Sequence, residues 1–95
     1  MHIHVIIDFQ AKPERLGDFA DLLDEVKRAL PHVPGCLAAQ VFRHDDQPGG
    51  FTLFETWVSR EQHRAHLDDV VASGRWAHVQ SHLAADPVSR YCSEV

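Results

Sequence analysis

The sequence predicts an α+β domain of ferredoxin-like βαββαβ order, an antiparallel sheet with its helices on one face. Three observations carry the prediction. Apolar residues alternate with period two near both ends of the chain and in its middle. Two intervening stretches carry apolar residues at helical spacing instead. Proline- and glycine-bearing turns separate these stretches, and no repeat or low-complexity segment interrupts them.

The first strand is His2 to Phe9, with Ile3, Val5, Ile7 and Phe9 on one face and His2, His4, Ile6 and Asp8 on the other. Pro13 suits the first turn of a helix, where its missing N–H has no partner to lose. From Glu14 the period changes, and Leu16, Phe19, Ala20, Leu23, Val26 and Leu30 form one stripe. Pro31, Pro34 and Gly35 end that helix. Cys36 to His44 is the second strand, and Asp45 to Gly50 a turn of hairpin length. Phe51 to Val58, rich in aromatic and β-branched residues, is the third. Ser59 and Gln62 have the spacing of a capping box, so a helix starts at Arg60. Gly74 interrupts it. A second helical piece carries Trp76, Val79, Gln80 and Leu83 on one side, and Pro87 closes it. Val88 to Val95 alternates again as the last strand.

Ninety-five residues suffice for one domain, residues 1–95, and a small one. Both faces of its sheet carry apolar residues, Ile6, Phe54 and Val58 on the side away from the helices. Packing that side against a second copy is the simplest cover, so a homodimer is expected, with the last strand and its Tyr91 reaching toward the partner. The net charge of −5 argues against nucleic acid and against an anionic membrane surface. No apolar run is long enough to span a bilayer, and the N-terminus lacks the basic, apolar layout of a signal peptide. The two cysteines, Cys36 and Cys92, are then expected as reduced thiols in the cytoplasm.

Ordered motifs run through nearly the whole chain: Lys12-Pro13, Pro34-Gly35-Cys36, Glu55-Thr56-Trp57, Ser59-Arg60-Glu61 and Ala65-His66-Leu67. In this order and spacing the sequence resembles the antibiotic-biosynthesis monooxygenase family. The resemblance implies a dimeric α+β barrel with one cavity per subunit between sheet and helices. Two departures stand out. Where many members have Ser-x-His-Phe, this chain has Ser73-Gly74-Arg75-Trp76, so Arg75 stands in the place of a second histidine. Haem-degrading relatives use an asparagine on the first strand, and this sequence has no asparagine.

Glu55 and Trp57 leave the same strand face as Phe51 and Leu53, which makes that face largely apolar. A carboxylate there either has its pKa raised by desolvation and serves as a proton acceptor, or is bonded to backbone or a buried histidine and fixes the cavity wall. Trp57 is either a flat wall for an aromatic ligand or plain core. His63 and His66 lie one turn apart on the following helix, on its inward side with Leu67 and Val70. Either imidazole could deprotonate a phenol. The resemblance favours His66 and Glu55 as the catalytic pair, with Trp57, Phe51, Leu53, His63, Arg75 and Trp76 as the substrate-contacting set. The pairs His2/His4 and His78/His82 read as solvated surface histidines, because no complete ligand set for a metal accompanies them. No phosphate loop or dinucleotide fingerprint is present, so no flavin or nicotinamide is expected; the missing ligand sets speak against a metal, and the missing asparagine, by the resemblance, against haem.

The resemblance then implies a cofactor-independent monooxygenase. It would oxidise a small hydroxylated aromatic, of hydroquinone or anthrone type, to a quinone with O₂. An isomerase of a small phosphorylated metabolite is the second reading, and Arg75 is the one candidate to hold its phosphate. A non-catalytic small-molecule-binding dimer is the third.

Overall fold

The computed structural model describes residues 2–95. Its elements are β1 (Ile3–Gln10), α1 (Leu16–Ala29), β2 (Cys36–Arg43), β3 (Gly50–Trp57), α2 (Arg60–Ala72), α3 (Arg75–Gln80) and β4 (Val88–Cys92). The strands form one antiparallel sheet in the order β2-β3-β1-β4. This is the α+β ferredoxin-like arrangement that the alternating pattern predicts.

Alternation decides which side chains meet the helices. On β1, Val5, Ile7 and Phe9 are buried, and on β3 so are Phe51, Leu53, Glu55 and Trp57. Register aligns them: Val5 opposes Glu55, Ile7 opposes Leu53 and Phe9 opposes Phe51. From α1 the predicted stripe supplies Phe19 and Leu23, with Leu30 just beyond the helix. Phe19 stands edge-on to both Phe9 and Phe51, at ring separations of 5.3 and 5.5 Å. Full burial of such a side chain contributes about 1.5–3 kcal/mol, and each edge-to-face pair adds roughly 0.5–1.5 kcal/mol.

The helix boundaries follow local chemistry. Pro13 opens a 3₁₀ turn, Pro13–Arg15, ahead of α1, and Leu30–His32 forms another behind it. Ser59 caps α2, its Oγ accepting the Gln62 N–H at 3.3 Å. The second half of the expected box differs, because the Gln62 side chain lies at the Ser59 hydroxyl rather than its backbone. Gly74 adopts φ +84°, a left-handed conformation that costs glycine little, and it separates α2 from α3. The second helical piece is shorter than the pattern suggests. It stops at Gln80 because the backbone beyond is taken elsewhere: Ala84 N–H bonds Gln10 O and Lys12 N–H bonds His82 O. Those bonds seat Leu83 in the core as part of a turn. The last strand likewise ends at Cys92, where its pairing with His4 runs out.

The opposite sheet face carries Ile6 and Phe54 as a cross-strand pair, with exposed Phe42 and Val88 beside them. Among these run polar bridges: Thr52 Oγ1 donates to Asp8 Oδ1 at 2.6 Å, and Arg90 binds Asp8 Oδ2 at 3.0 Å. Val58, expected on this face, lies just beyond β3 and is exposed.

Candidate active site

A cavity of about 300 Å³ lies between the sheet and the helices. Ile7, Phe9, Leu53 and Glu55 form its floor; Leu22, Leu23, Glu25 and Val26 of α1 form one wall. The other wall is His63, His66, Leu67 and Val70 of α2 with Arg75, Trp76, His78 and Val79 of α3. A second hollow of about 310 Å³, beside Gln80 and Leu83, has Asp86 as its one titratable lining residue. Only the first joins an apolar interior to several groups able to move a proton, as a small-molecule site requires.

Of the residues expected from sequence, Glu55, His66, Leu53, His63, Arg75 and Trp76 all line this cavity. Phe51 and Trp57 do not. Phe51 is buried against Phe19, and Trp57 is 0% exposed, so neither offers a surface to a ligand. Trp57 lies beneath α2, in edge contact with His63 at 5.3 Å and tilted against His66 at 5.4 Å. Its place is behind the cavity wall, where it acts on the residues that form that wall.

The link is Glu55. Trp57 Nε1 donates to Glu55 Oε1 at 2.7 Å. His63 Nε2 is 3.9 Å from the same oxygen. Glu55 and His63 are 4% and 6% exposed, so both are nearly cut off from solvent. Burial pushes the Glu55 carboxyl above its ordinary pKa, and the Trp57 N–H opposes part of that rise. Every fully buried side-chain nitrogen and oxygen among the described residues has a hydrogen-bond partner. Glu55 Oε2 has none among the described residues and so is not fully buried, and Glu55 lines the cavity.

Burial also lowers both histidines. For His63 the neighbouring His66 and Arg64 add to the effect. For His66 the Arg75 guanidinium adds to it and Asp69 opposes it. Both rings are therefore neutral at neutral pH. They differ in their bonds. His63 Nδ1 is 2.8 Å from the Tyr91 hydroxyl, whereas His66 makes no side-chain hydrogen bond among the described residues. Arg75 is tied to Asp69 at 2.6 Å and to Ser73 at 2.9 Å.

Tyr91 was not expected here. It pairs with Val5 and faces its own helices, where Arg60 stacks on its ring at 4.6 Å and His63 meets its hydroxyl. The sequence signal was the alternation of the last strand, but which face Tyr91 takes depends on a register with β1 that spans almost the whole chain. The histidine pairs also differ from expectation. His82 is buried against Phe19, with its Nδ1 at the His78 carbonyl, and His78 lines the cavity. His4 bonds Thr56 and stacks on Phe54. Among the described residues no group of three or more histidine, cysteine or carboxylate side chains gathers as a metal site.

Comparison with known proteins agrees with this architecture. A crystal structure of an antibiotic biosynthesis monooxygenase is 24% identical, with 98% of each chain covered and a TM-score of 0.86. The Mycobacterium tuberculosis protein Rv0793 is 21% identical over 100% of this chain and 96% of its own, at 0.86. SnoaB, a cofactor-independent oxygenase from Streptomyces nogalater, shares the fold at 10% identity and a TM-score of 0.80, with 98% of this chain and 92% of its own covered. A search of curated proteins gives no match. The family model for antibiotic biosynthesis monooxygenases matches residues 2–85, so the chain belongs to that family.

Proposed function

We propose that the protein is a cofactor-independent monooxygenase that oxidises a small hydroxylated aromatic to a quinone. The observation that carries this reading is a neutral, otherwise unbonded His66 on the wall of an apolar cavity whose floor holds Glu55. An electron-rich phenol needs little more. Once deprotonated it reduces O₂ itself, so the protein has to bind it, take its proton and keep water away.

In the proposed sequence, His66 accepts the phenolic proton. The phenolate passes one electron to O₂, and the substrate radical and superoxide combine in a new C–O bond. Protonation of the resulting peroxide by the imidazolium, followed by O–O cleavage with loss of the remaining hydrogen on that carbon, releases water. A phenolic O–H, a ring C–H and O₂ thereby become two C=O groups and H₂O, with the substrate as sole reductant. Glu55 Oε2 supplies a polar contact within the apolar floor, and the volume suits a small ring system at the lower end of ligand cavities. SnoaB, a cofactor-independent oxygenase, shows that this fold can host oxygenation without a cofactor.

The phosphate-isomerase reading has less support. Among the described residues Arg75 is the one lysine or arginine on the cavity wall, and its guanidinium is already committed to Asp69. A phosphate dianion would find no second cation there. We place the reaction in a cytoplasmic homodimer that packs through the Ile6, Phe54 and Phe42 face; the unpaired thiols Cys36 and Cys92 suit a reducing compartment. No helix among the described residues is long and apolar enough to cross a membrane.

The test is oxygen uptake over a panel of hydroquinones and anthrones, with and without a strong chelator. The expected result is one O₂ consumed per quinone formed, no free hydrogen peroxide and no effect of chelator. Absence of turnover across the panel, or its loss on chelation, overturns the reading.

A further inference from the structure

The cavity wall holds two neutral histidines, and burial moves both in the same direction, so their acidity does not assign their roles. Their hydrogen bonds do. A starting point is Trp57, whose indole nitrogen can only donate. Its 2.7 Å bond makes Glu55 Oε1 an acceptor whether the carboxyl is ionised or protonated on Oε2. His63 Nε2 faces that acceptor at 3.9 Å, too far for a direct bond but close enough for sign to matter. A bare lone pair on Nε2 would oppose the oxygen, and an N–H complements it. Neutral imidazole carries a single proton. With it on Nε2, Nδ1 must accept, and the one hydroxyl at Nδ1 is that of Tyr91, at 2.8 Å.

We propose that Tyr91 is a positioning residue: its hydroxyl donates to His63 Nδ1 and locks His63 as the Nε2–H tautomer, a hydrogen-bond donor to the cavity and not a base. Among the described residues Nε2 has no partner within bonding distance, and no fully buried side-chain nitrogen lacks one. Since His63 lines the cavity, its Nε2–H is accessible from there. The Arg60 guanidinium over the Tyr91 ring holds the phenol in place from the outer side.

The consequence rests on the proposed oxygenase reading. His66 takes the substrate's proton, and His63 donates to the oxygen that has lost it, or to the peroxide that forms later. A neutral imidazole can be the donor to such an oxyanion, polarising it through its N–H while keeping the proton. His63→Ala then lowers kcat/KM by about 100- to 1,000-fold, the usual effect of deleting one such donor. His63→Gln keeps an N–H near the same point and stays within about tenfold of wild type.

The tautomer itself is read without any substrate. In ¹⁵N-labelled protein at neutral pH, long-range ¹H–¹⁵N spectra of the histidine rings report which nitrogen bears the proton. The expected wild-type result for His63 is a protonated Nε2 and an unprotonated Nδ1 shifted by hydrogen bonding. In Tyr91→Phe that Nδ1 resonance moves to the position of a free imidazole nitrogen. A proton on Nδ1 in the wild type, or an Nδ1 resonance unmoved by Tyr91→Phe, overturns the proposal. Should Tyr91→Phe fail to fold, the wild-type spectrum alone decides. A locked tautomer in a protein without oxygenase activity would refute the reaction and leave the positioning role intact.

Discussion

Trp57→Phe tests how the buried half of the site is held together. The substitution keeps an aromatic ring in the core and deletes the N–H that reaches Glu55 Oε1 at 2.7 Å. Leaving a buried acceptor unsatisfied costs about 1–3 kcal/mol. The space vacated by the missing part of the indole adds roughly 1 kcal/mol, at ~24 cal/mol per Å³ of cavity. Together these give about 2–4 kcal/mol, or a fall in Tm on the order of 10–25 °C for a domain of this size. The deficit should depend on pH. Burial raises the Glu55 pKa in the folded state and the Trp57 N–H counters it, so removing that N–H raises it further. A carboxyl whose folded pKa lies above its unfolded value, about 4.3, loses stability as pH rises through that window. The variant's deficit is therefore smallest below about pH 4.3, where the group is protonated in both states, and grows toward neutrality. Thermal melts of both proteins across that range are the assay. A deficit of the same size at acid and neutral pH would mean that Trp57 only fills space, and that the coupling to Glu55 is wrong.

The remaining predictions bear on the base, the carboxyl and the assembly. His66→Ala lowers kcat/KM by about 100- to 10,000-fold and removes the acidic limb of its pH profile, which lies below the ordinary histidine range, whereas His63→Ala retains that limb. Glu55→Gln slows turnover but raises Tm at mildly alkaline pH, because it deletes a carboxyl that is costly to ionise in place; the gain fades to nothing below about pH 4.3 in the same melts. Phe42→Glu puts a charge on the apolar sheet face at a residue 51% exposed in the single chain, and size-exclusion chromatography with light scattering should register a shift from dimer to monomer. Phe19→Ala, which empties the junction of Phe9 and Phe51, costs about 3–5 kcal/mol by denaturant titration.

The elements were legible because each is amphipathic with a period of its own. Val5, Ile7 and Phe9 announce a half-buried strand, and Phe19, Leu23 and Leu30 a helix stripe, without knowledge of what covers them. The same-face rule also joined Glu55 to Trp57 correctly. It could not say that α2 closes over the end of β3, so it could not tell a residue that lines the cavity from one sealed beneath it. The helix that carries both candidate histidines gave the weakest signal. Along α2 His63 is the one buried residue, which leaves no apolar stripe from which to rank it against His66. Tyr91 escaped because its role depends on the pairing of Val5 with both Glu55 and Tyr91, a three-strand register set by long-range packing.

The geometry also bears on why a stability-costing carboxyl would sit at this point. An all-apolar floor would pack as well and remove the desolvation penalty on Glu55, but it would leave the Trp57 N–H without an acceptor and His63 Nε2 without an orienting charge. Replacing Glu55 by leucine would thus affect three groups at once. The indole would be orphaned, His63 Nε2 would lose the acceptor beside it, and the Tyr91 hydroxyl alone would be left to hold the tautomer. Acid disturbs the same chain by another route. A doubly protonated His63 needs acceptors at both nitrogens, so Tyr91 must reverse its bond while Glu55 Oε1 remains as it was. His66 stands outside this chain of donors and acceptors, so a proton gained or lost there, unlike one on His63, leaves those bonds as they are.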